Sequence, residues 1–180
     1  AVARAAAMRG ADVTLIHGLT ALPPVKFTED VPITTAQDMY EAVTSRFADM
    51  DILVMAAAVA DYRPATVADD KIKKKDGDLS IPVERTADIL GTIGPRKTKQ
   101  FLCGFSMETR DMVENSAAKL KKKNLDMVVA NNLKVSGAGF GVDTNVVTFI
   151  TPDGTRELPL MSKADVADAI LDEILKRRGH

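Results

Sequence analysis

Apolar residues along the chain recur at helical spacing in some segments and form short unbroken runs in others. Residues 1–9 are rich in helix-forming residues and end at Gly10, and the β-branched run 13–16 follows. The same order returns where apolar positions at helical spacing across residues 35–50 lead into the apolar run 52–55. Strands that helices cover on both faces are apolar throughout, so this alternation predicts an α/β fold with a parallel sheet.

The second half of the chain extends this alternation and then departs from it. Buried strands are predicted at residues 101–105 and 127–130, a charged helix at residues 111–123, and a closing helix after the cap residue Ser162. Two β-rich runs, 146–150 and 156–160, flank a Pro-Asp-Gly turn and indicate an antiparallel hairpin. We therefore expect a Rossmann-like, mostly parallel sheet with helices on both faces and an antiparallel β-hairpin extension near the C-terminus.

The length and composition of the chain indicate one globular domain that spans residues 1–180. The 180 residues fall within the usual size of a domain, and 46% hydrophobic residues can bury a sizeable core. Residues 1–8 have the composition of a helix interior with no capping residue before it. We therefore expect a domain that is truncated at its N-terminus.

Charge and cysteine content exclude several classes of protein. The 24 basic and 25 acidic residues give a formal net charge of −1, which disfavours a general nucleic-acid binder. The single cysteine, Cys103, cannot form an internal disulfide, and we expect it to be buried and inert. No apolar run reaches the ~20 residues that span a bilayer. We expect a soluble protein of the cytoplasm, without a membrane or nucleic-acid partner.

Small residues at the carboxyl end of the strand at residues 52–55 form the first candidate site. Ala57 and Ala58 would let a ligand approach the backbone closely, and ligands of such sheets bind outside the carboxyl ends of the strands. Asp61 follows, and it could bind a ribose hydroxyl or a divalent cation that carries phosphate. The alternative is that the small residues let a helix cross the strand and that Asp61 caps the next turn.

A run of lysines follows this first segment. Lys71, Lys73, Lys74 and Lys75 repel one another, which favours a mobile loop that could close over a triphosphate. The alternative is a solvated loop or a weak nucleic-acid patch, which is the commoner outcome for an isolated lysine run.

Two later segments hold further candidate ligand contacts. Phe105, at the end of a predicted strand, could stack on a base or fill the core. Lys119 and Lys123 lie one helical turn apart, and the amide of Asn124 offers the paired donor and acceptor that read the edge of a base. The lysines could equally complement the dipole at the C-terminus of their helix.

Five strings occur in order along nearly the whole chain: AAAVADYRPATVADDKIKKK, TADIL, GFSMET, KKKNLDMVVANN and GFGVDTNVVTFI. Taken together, they resemble the phosphopantothenoylcysteine synthetase family, the second half of the bacterial bifunctional flavoproteins of coenzyme A biosynthesis. The resemblance implies that the carboxylate of 4'-phosphopantothenate attacks the α-phosphate of CTP in the presence of Mg²⁺ and releases pyrophosphate. The acyl-cytidylate then reacts with the amine of L-cysteine to give CMP and 4'-phospho-N-pantothenoylcysteine.

The same resemblance implies roles for individual residues. It places Asp61 beside the nucleotide and the metal ion, and it makes Lys71 the catalytic candidate that closes over the acyl-phosphate. The other positions that match nucleotide contacts of the family are Thr86, Ala87, Asp88, Ile89, Phe105, Lys119 and Lys123. Thr86 and Ala87 stand where the family often has Asn and Pro, which leaves backbone contacts possible there. The Lys-Asn-Leu-Asp string around Asn124 favours CTP over ATP.

The resemblance also carries expectations about partners. The Gly-rich phosphate-holding segment of the family and its flavin-binding decarboxylase half do not occur in this sequence. We therefore expect no flavin on this chain, an activity that truncation could abolish, and a full-length protein fused to a flavin-dependent decarboxylase half. A homodimer is expected to form through the apolar hairpin at residues 146–160.

Two other functions remain open at this point. A small-residue strand end followed by Tyr62 is compatible with an NAD(P)-dependent Rossmann oxidoreductase, although no Gly-rich fingerprint is present. The lysine runs are compatible with a non-catalytic RNA-binding module, which the net charge of −1 and only 4% aromatic residues disfavour.

Overall fold

A computed structural model describes residues 1–68, 70–72, 80–107, 111–132 and 141–179 of the chain. The lysines at positions 73–75, which the sequence places in one loop with Lys71, lie outside the described residues. The same is true of the last two residues of GFSMET and the first two of GFGVDTNVVTFI.

Short strands and helices alternate through the described part of the chain. The helices are α1 Val2–Met8, α2 Ala36–Arg46, α3 Ile89–Ile93, α4 Met112–Lys122 and α5 Lys163–Arg178, with 3-10 turns at Phe47–Asp49 and Gly94–Arg96. The strands are β1 Thr14–His17, β2 Glu29–Pro32, β3 Ile52–Met55, β4 Tyr62–Pro64, β5 Val83–Arg85, β6 Phe101–Met107, β7 Met127–Asn131, β8 Thr144–Asn145, β9 Val147–Thr151, β10 Gly154–Glu157 and β11 Met161–Ser162. None of the described helices is long and apolar enough to cross a membrane.

The central sheet has five strands in the order β10-β9-β7-β6-β3. Strands β3, β6 and β7 run parallel, whereas β9 and β10 are antiparallel to their neighbours. Outside this sheet, β1 pairs in parallel with β2, and β4 pairs antiparallel with β5. The predicted α/β sheet, mostly parallel with an antiparallel hairpin near the C-terminus, is confirmed.

Side chains alternate along the central strands, which divides the core between the two faces of the sheet. On β7, Val128 packs in a cluster with residues of α2, α3 and α4, and the neighbouring Val129 packs with residues of α1 and α5. Both valines are fully buried. Burial of such a side chain contributes about 1.5–3 kcal/mol. Helices therefore cover both faces, as the apolar strands predicted.

Local capping signals set the starts of helices α2 and α5. The Thr35 hydroxyl accepts the N–H of Asp38, whose carboxylate accepts the N–H of Thr35 in return, so α2 begins with a capping box. The Ser162 hydroxyl accepts the N–H of Asp165 at 3.0 Å, which confirms the predicted cap of α5. Gly179 ends α5 at φ +81°, a conformation that favours glycine.

The hairpin of β9 and β10 turns its large apolar side chains inward. Phe149 is 1% exposed and Leu158 is 4% exposed, and the guanidinium of Arg156 lies over the Phe149 ring. The residues of β10 itself are exposed and mostly polar. The hairpin therefore presents a strand edge rather than the apolar surface that its sequence led us to expect, because that apolar surface packs against the sheet and α5.

The only cysteine of the chain, Cys103, lies on β6 with no exposed surface. Burial raises the pKa of its thiol, and the negative charge of Asp126 raises it further. The prediction that Cys103 is buried is therefore confirmed, and a thiol whose pKa is raised is a poor nucleophile.

Candidate functional site

A pocket of about 350 Å³ opens beside the carboxyl ends of β3 and β6, on the face of the sheet that carries α3 and α4. The lining residues are Met55, Ala57, Val59, Ala60, Asp61, Tyr62, Arg85, Thr86, Ala87, Asp88, Ile89, Leu90, Phe105, Lys119 and Lys123. They belong to the end of β3 and the segment after it, the β4–β5 pair, the segment that leads from β5 into α3, β6, and the C-terminal end of α4. Ligands of open parallel sheets bind at this edge, so the pocket is the candidate functional site.

Most of the residues predicted from the sequence meet in this pocket. They are Ala57, Asp61, Thr86, Ala87, Asp88, Ile89, Phe105, Lys119 and Lys123. These residues belong to four separate segments of the chain, and the fold places all of them around one cavity.

Three predicted residues, Ala58, Lys71 and Asn124, are not among the lining residues. Ala58 and Lys71 are exposed, and Lys71 has no hydrogen bond or ion pair with any other residue of the described ranges. The side-chain amide of Asn124 donates to the carbonyl oxygen of Gly94 at 2.9 Å, and its backbone has φ 50°. Asn124 therefore fastens the end of α4 to the turn at Gly94–Arg96.

Thr86 joins two walls of the pocket. Its hydroxyl donates to the carbonyl oxygen of Ala60, and its backbone N–H donates to the carbonyl oxygen of Asp61 at 3.0 Å. The hydroxyl of Thr86 thus holds the segment after β3 against the segment after β5. This contact gives a structural reason for a hydroxyl at position 86.

Asp88 combines a capping role with an ion pair. Its Oδ1 accepts the N–H of Gly91 at 2.9 Å, which caps α3, and it also accepts from Lys123 Nζ at 2.8 Å. Partial burial alone would raise the pKa of the Asp88 carboxyl, but these two hydrogen bonds and the charges of Lys123 and Lys122 lower it below its ordinary value. Asp88 is therefore ionised at neutral pH and holds Lys123 at the pocket wall.

Lys119, the pocket lysine within α4, is positioned by the strand beside it. Lys119 Nζ donates to the carbonyl oxygen of Phe105 at 2.9 Å, near the carboxyl end of β6. Phe105 also lines the pocket, and it packs against the core cluster on the other face of the sheet, the face that α1 and α5 cover. The lysines at positions 119 and 123 therefore face the same cavity, in agreement with their spacing of one helical turn.

Six of the lining residues were not predicted from the sequence. They are Met55, Val59, Ala60, Tyr62, Arg85 and Leu90. Met55, Val59 and Leu90 form the apolar part of the wall and pack against the core. Tyr62 lies inside the string AAAVADYRPATVADDKIKKK, and Arg85 directly precedes TADIL, so their positions in the chain were the available signal. It was not used because the pairing of β4 with β5 has no visible apolar pattern.

Among the residues described, no group of three or more His, Cys, Asp and Glu side chains could enclose a metal ion. The Asp61 carboxylate lines the pocket without a hydrogen bond or ion pair to another described side chain. Mg²⁺ is commonly bound by one or two carboxylates together with water and substrate phosphate oxygens. The donor set therefore fits Mg²⁺ that arrives with a phosphate ligand, and it does not fit a metal ion held by protein atoms alone.

Comparison with known proteins shows which family the chain resembles. The family model of the DNA/pantothenate metabolism flavoprotein C-terminal domain matches residues 1–177. The coenzyme A biosynthesis bifunctional protein CoaBC of Bacillus subtilis is 49% identical over 176 residues, which are 97% of this chain and 43% of that protein. CoaBC of Vibrio vulnificus is 39% identical over 183 residues, which cover 100% of this chain and 46% of that protein.

A solved structure supports the same relationship. The crystal structure of the C-terminal domain of a CoaBC protein matches with a TM-score of 0.81 and 42% sequence identity, over 98% of this chain and 81% of that one. The chain spans less than half the length of the two CoaBC proteins that it matches.

Proposed function

The chain belongs to the DNA/pantothenate metabolism flavoprotein C-terminal domain family, and we propose from this membership that it provides a phosphopantothenate–cysteine ligase activity. The proposed reaction joins 4'-phosphopantothenate to L-cysteine, with CTP as the activating co-substrate. We also propose that residues 1–180 form one nucleotide-binding domain, that the reaction takes place in the cytoplasm, and that a flavin-dependent decarboxylase half belongs to the same protein.

One observation carries the proposal. Lys119 and Lys123 line one pocket at the carboxyl edge of a parallel sheet. The Asp61 carboxylate lines it too, and it has no polar side-chain partner in the described part of the chain. Positive charge beside a carboxylate suits a nucleoside triphosphate with its Mg²⁺, because the lysines attract phosphate and the carboxylate attracts the metal ion. The pocket contains no Ser–His or Cys–His pair among its lining residues, which agrees with a reaction that activates its carboxylate through the nucleotide.

In the first step, an oxygen of the 4'-phosphopantothenate carboxylate bonds to the α-phosphorus of CTP, and the bond from that phosphorus to pyrophosphate breaks. The ammonium groups of Lys119 and Lys123 stabilise negative charge on the phosphate oxygens during this exchange. Asp61 would hold Mg²⁺, which neutralises phosphate charge when bound.

In the second step, the amine nitrogen of L-cysteine bonds to the acyl carbon, CMP leaves with the bonding electrons, and the amine proton passes to solvent. This step needs no protein nucleophile, because the acyl-cytidylate is already activated. The pocket has to hold both reactants in contact and to exclude water from the acyl carbon. The apolar wall of Met55, Val59 and Leu90 suits that task.

Replacement of Lys123 with alanine tests the proposed nucleotide site. We expect the dissociation constant for CTP with Mg²⁺ to rise about tenfold to a hundredfold, because a charge-assisted contact to phosphate is lost. The matched control is Lys121→Ala on the same helix, because Lys121 is exposed and does not line the pocket. Titration calorimetry with CTP, NAD and single-stranded RNA distinguishes the outcomes. Binding of NAD alone would support an oxidoreductase instead, and binding of RNA alone would support an RNA-binding module.

We further propose a homodimer, in which the exposed edge of β10 pairs with its copy across a two-fold axis. The backbone groups along an edge strand are available for such pairing, and the polar side chains of β10 tolerate solvent at the margin of the contact. Light scattering is expected to give twice the chain mass of 19.4 kDa at micromolar concentration. A mass of one chain under these conditions contradicts the dimer and leaves the ligase proposal intact.

A further inference from the structure

The β4–β5 pair carries two arginines in two different environments. Arg63 and Glu84 are cross-strand partners, and Arg63 Nε donates to Glu84 Oε1 at 2.7 Å. Tyr62 and Arg85 form the neighbouring cross-strand pair, and the Arg85 guanidinium carbon lies 5.7 Å from the centroid of the Tyr62 ring. One arginine is therefore neutralised by a carboxylate, and the other lies over an aromatic ring.

The two arginines also face opposite sides of the strand pair. Successive side chains of a strand point to opposite faces, so the Tyr62–Arg85 pair and the Arg63–Glu84 pair lie on different faces. Tyr62 and Arg85 line the pocket, whereas Arg63 and Glu84 do not. The arginine without a carboxylate partner is thus the one at the ligand site.

The three cationic side chains that line the pocket, those of Lys119, Lys123 and Arg85, also differ in their polar contacts. Lys123 donates to the Asp88 carboxylate, and Lys119 donates to the carbonyl oxygen of Phe105. Within the described part of the chain, the Arg85 side chain has its ring contact with Tyr62 and neither a hydrogen bond nor an ion pair. A guanidinium carries five N–H donors in one plane, and stacking on a ring orients that plane without consuming the donors. Its fork therefore stays available for two parallel hydrogen bonds to an oxyanion.

We propose that Arg85 binds a phosphate group of a substrate and that Tyr62 is a positioning residue that orients its guanidinium. This inference rests on the proposed function, in which two phosphate-bearing molecules, CTP and 4'-phosphopantothenate, enter the pocket. Both offer the same chemistry to Arg85, a phosphate whose oxygens match the spacing of the guanidinium fork. The inference adds a third cation to the predicted site, at a position that none of the sequence motifs singled out.

The test compares each phosphorylated ligand with its dephosphorylated form. Calorimetry is carried out with CTP and cytidine, with 4'-phosphopantothenate and pantothenate, and with inorganic tripolyphosphate as a probe of phosphate alone. Arg85→Gln is expected to weaken binding of the phosphorylated member of one pair about tenfold or more and to leave cytidine and pantothenate unchanged. The affected pair identifies which substrate phosphate Arg85 contacts.

Two further variants separate a phosphate contact from a general disturbance. Arg63→Gln removes an arginine from the opposite face of the same strand pair and is expected to bind every ligand as the wild type does. Tyr62→Leu keeps the charge of Arg85 but removes the ring, so it is expected to reproduce part of the loss. Equal losses of affinity in Arg85→Gln and Arg63→Gln overturn the inference, and so does the absence of any loss in Arg85→Gln. In either case, binding of CTP by the wild-type protein would still support the proposed function.

The same experiment also shows whether the proposed function fails while the role of Arg85 stands. If the wild type binds tripolyphosphate in an Arg85-dependent manner but binds neither CTP nor 4'-phosphopantothenate, the proposed function fails and the phosphate-binding role of Arg85 stands. If the wild type binds none of the phosphate compounds, both fail.

Discussion

Replacement of Gly94 with alanine is expected to lower the free energy of unfolding by about 3 kcal/mol, because the new methyl group has no space. A β-carbon at position 94 would overlap the carbonyl oxygen of Lys123 and lie 2.9 Å from its carbonyl carbon. These are backbone atoms, which cannot rotate away as the end of a side chain can. The contact is also fixed from the other side, because the amide of Asn124 donates to the Gly94 carbonyl oxygen at 2.9 Å.

Urea denaturation followed by circular dichroism measures this effect. The matched control is Gly18→Ala, because an added β-carbon at Gly18 meets nothing within 4 Å. We expect the control to change the free energy of unfolding by less than about 0.5 kcal/mol. A Gly94→Ala protein as stable as the Gly18→Ala protein would show that the end of α4 is not packed as the structure has it.

The effect reaches the pocket through one residue. Relief of the overlap requires the backbone of Lys123 to move away from Gly94, and Lys123 is the residue that contacts Asp88 across the pocket wall. Close packing of a glycine against the end of α4 thus supports the position of a candidate ligand contact. We infer that the turn at Gly94–Arg96 belongs to the framework of the site although it does not line it.

The central sheet was predictable because its strands carry a strong local signal. The apolar run at β3 and the helix that begins after Ser162 agree with the structure at their predicted starts, since a buried strand and a capped helix are specified by their own residues. The β4–β5 pair was not predicted. Each of its strands has three exposed residues, and 18 residues separate the two strands in the sequence, so no local signal joins them.

The residues of the candidate site were predictable where a local rule of sequence applied to them. Residues beside a strand end, such as Ala57 and Asp61, follow from the rule for parallel sheets, and Lys119 and Lys123 follow from helical spacing. Arg85 did not follow from either, because it enters the pocket through the β4–β5 pairing.

Asn124 shows the converse difficulty. Its amide was a plausible reader of a base edge, but the left-handed backbone at position 124 directs the amide to the carbonyl oxygen of Gly94. A residue type that binds ligands also closes helices, and the choice between the two depends on contacts that are distant in sequence.

In the full-length protein, Lys71→Gln is expected to lower the rate of product formation about a thousandfold while leaving the fold intact. Glutamine keeps much of the length and polarity of lysine but removes the positive charge that would stabilise the phosphate oxygens in the first step. Lys71 is exposed and has no polar partner among the described residues, so its replacement breaks no contact that stabilises the fold. The loss should therefore appear in turnover rather than in the melting temperature.

Because Lys71 does not line the pocket, its replacement can separate an effect on the reaction from an effect on nucleotide binding. If Lys71 acts on the reacting phosphate rather than on the bound nucleotide, the dissociation constant for CTP should change less than about tenfold in Lys71→Gln, whereas release of pyrophosphate in a single turnover should fall steeply. Lys26→Gln is the control, because Lys26 is also an exposed loop lysine without a polar partner in the described chain. Wild-type turnover in Lys71→Gln would remove this lysine from the mechanism, and the charge needed in the first step would then have to come from the lysines of α4 and from Arg85.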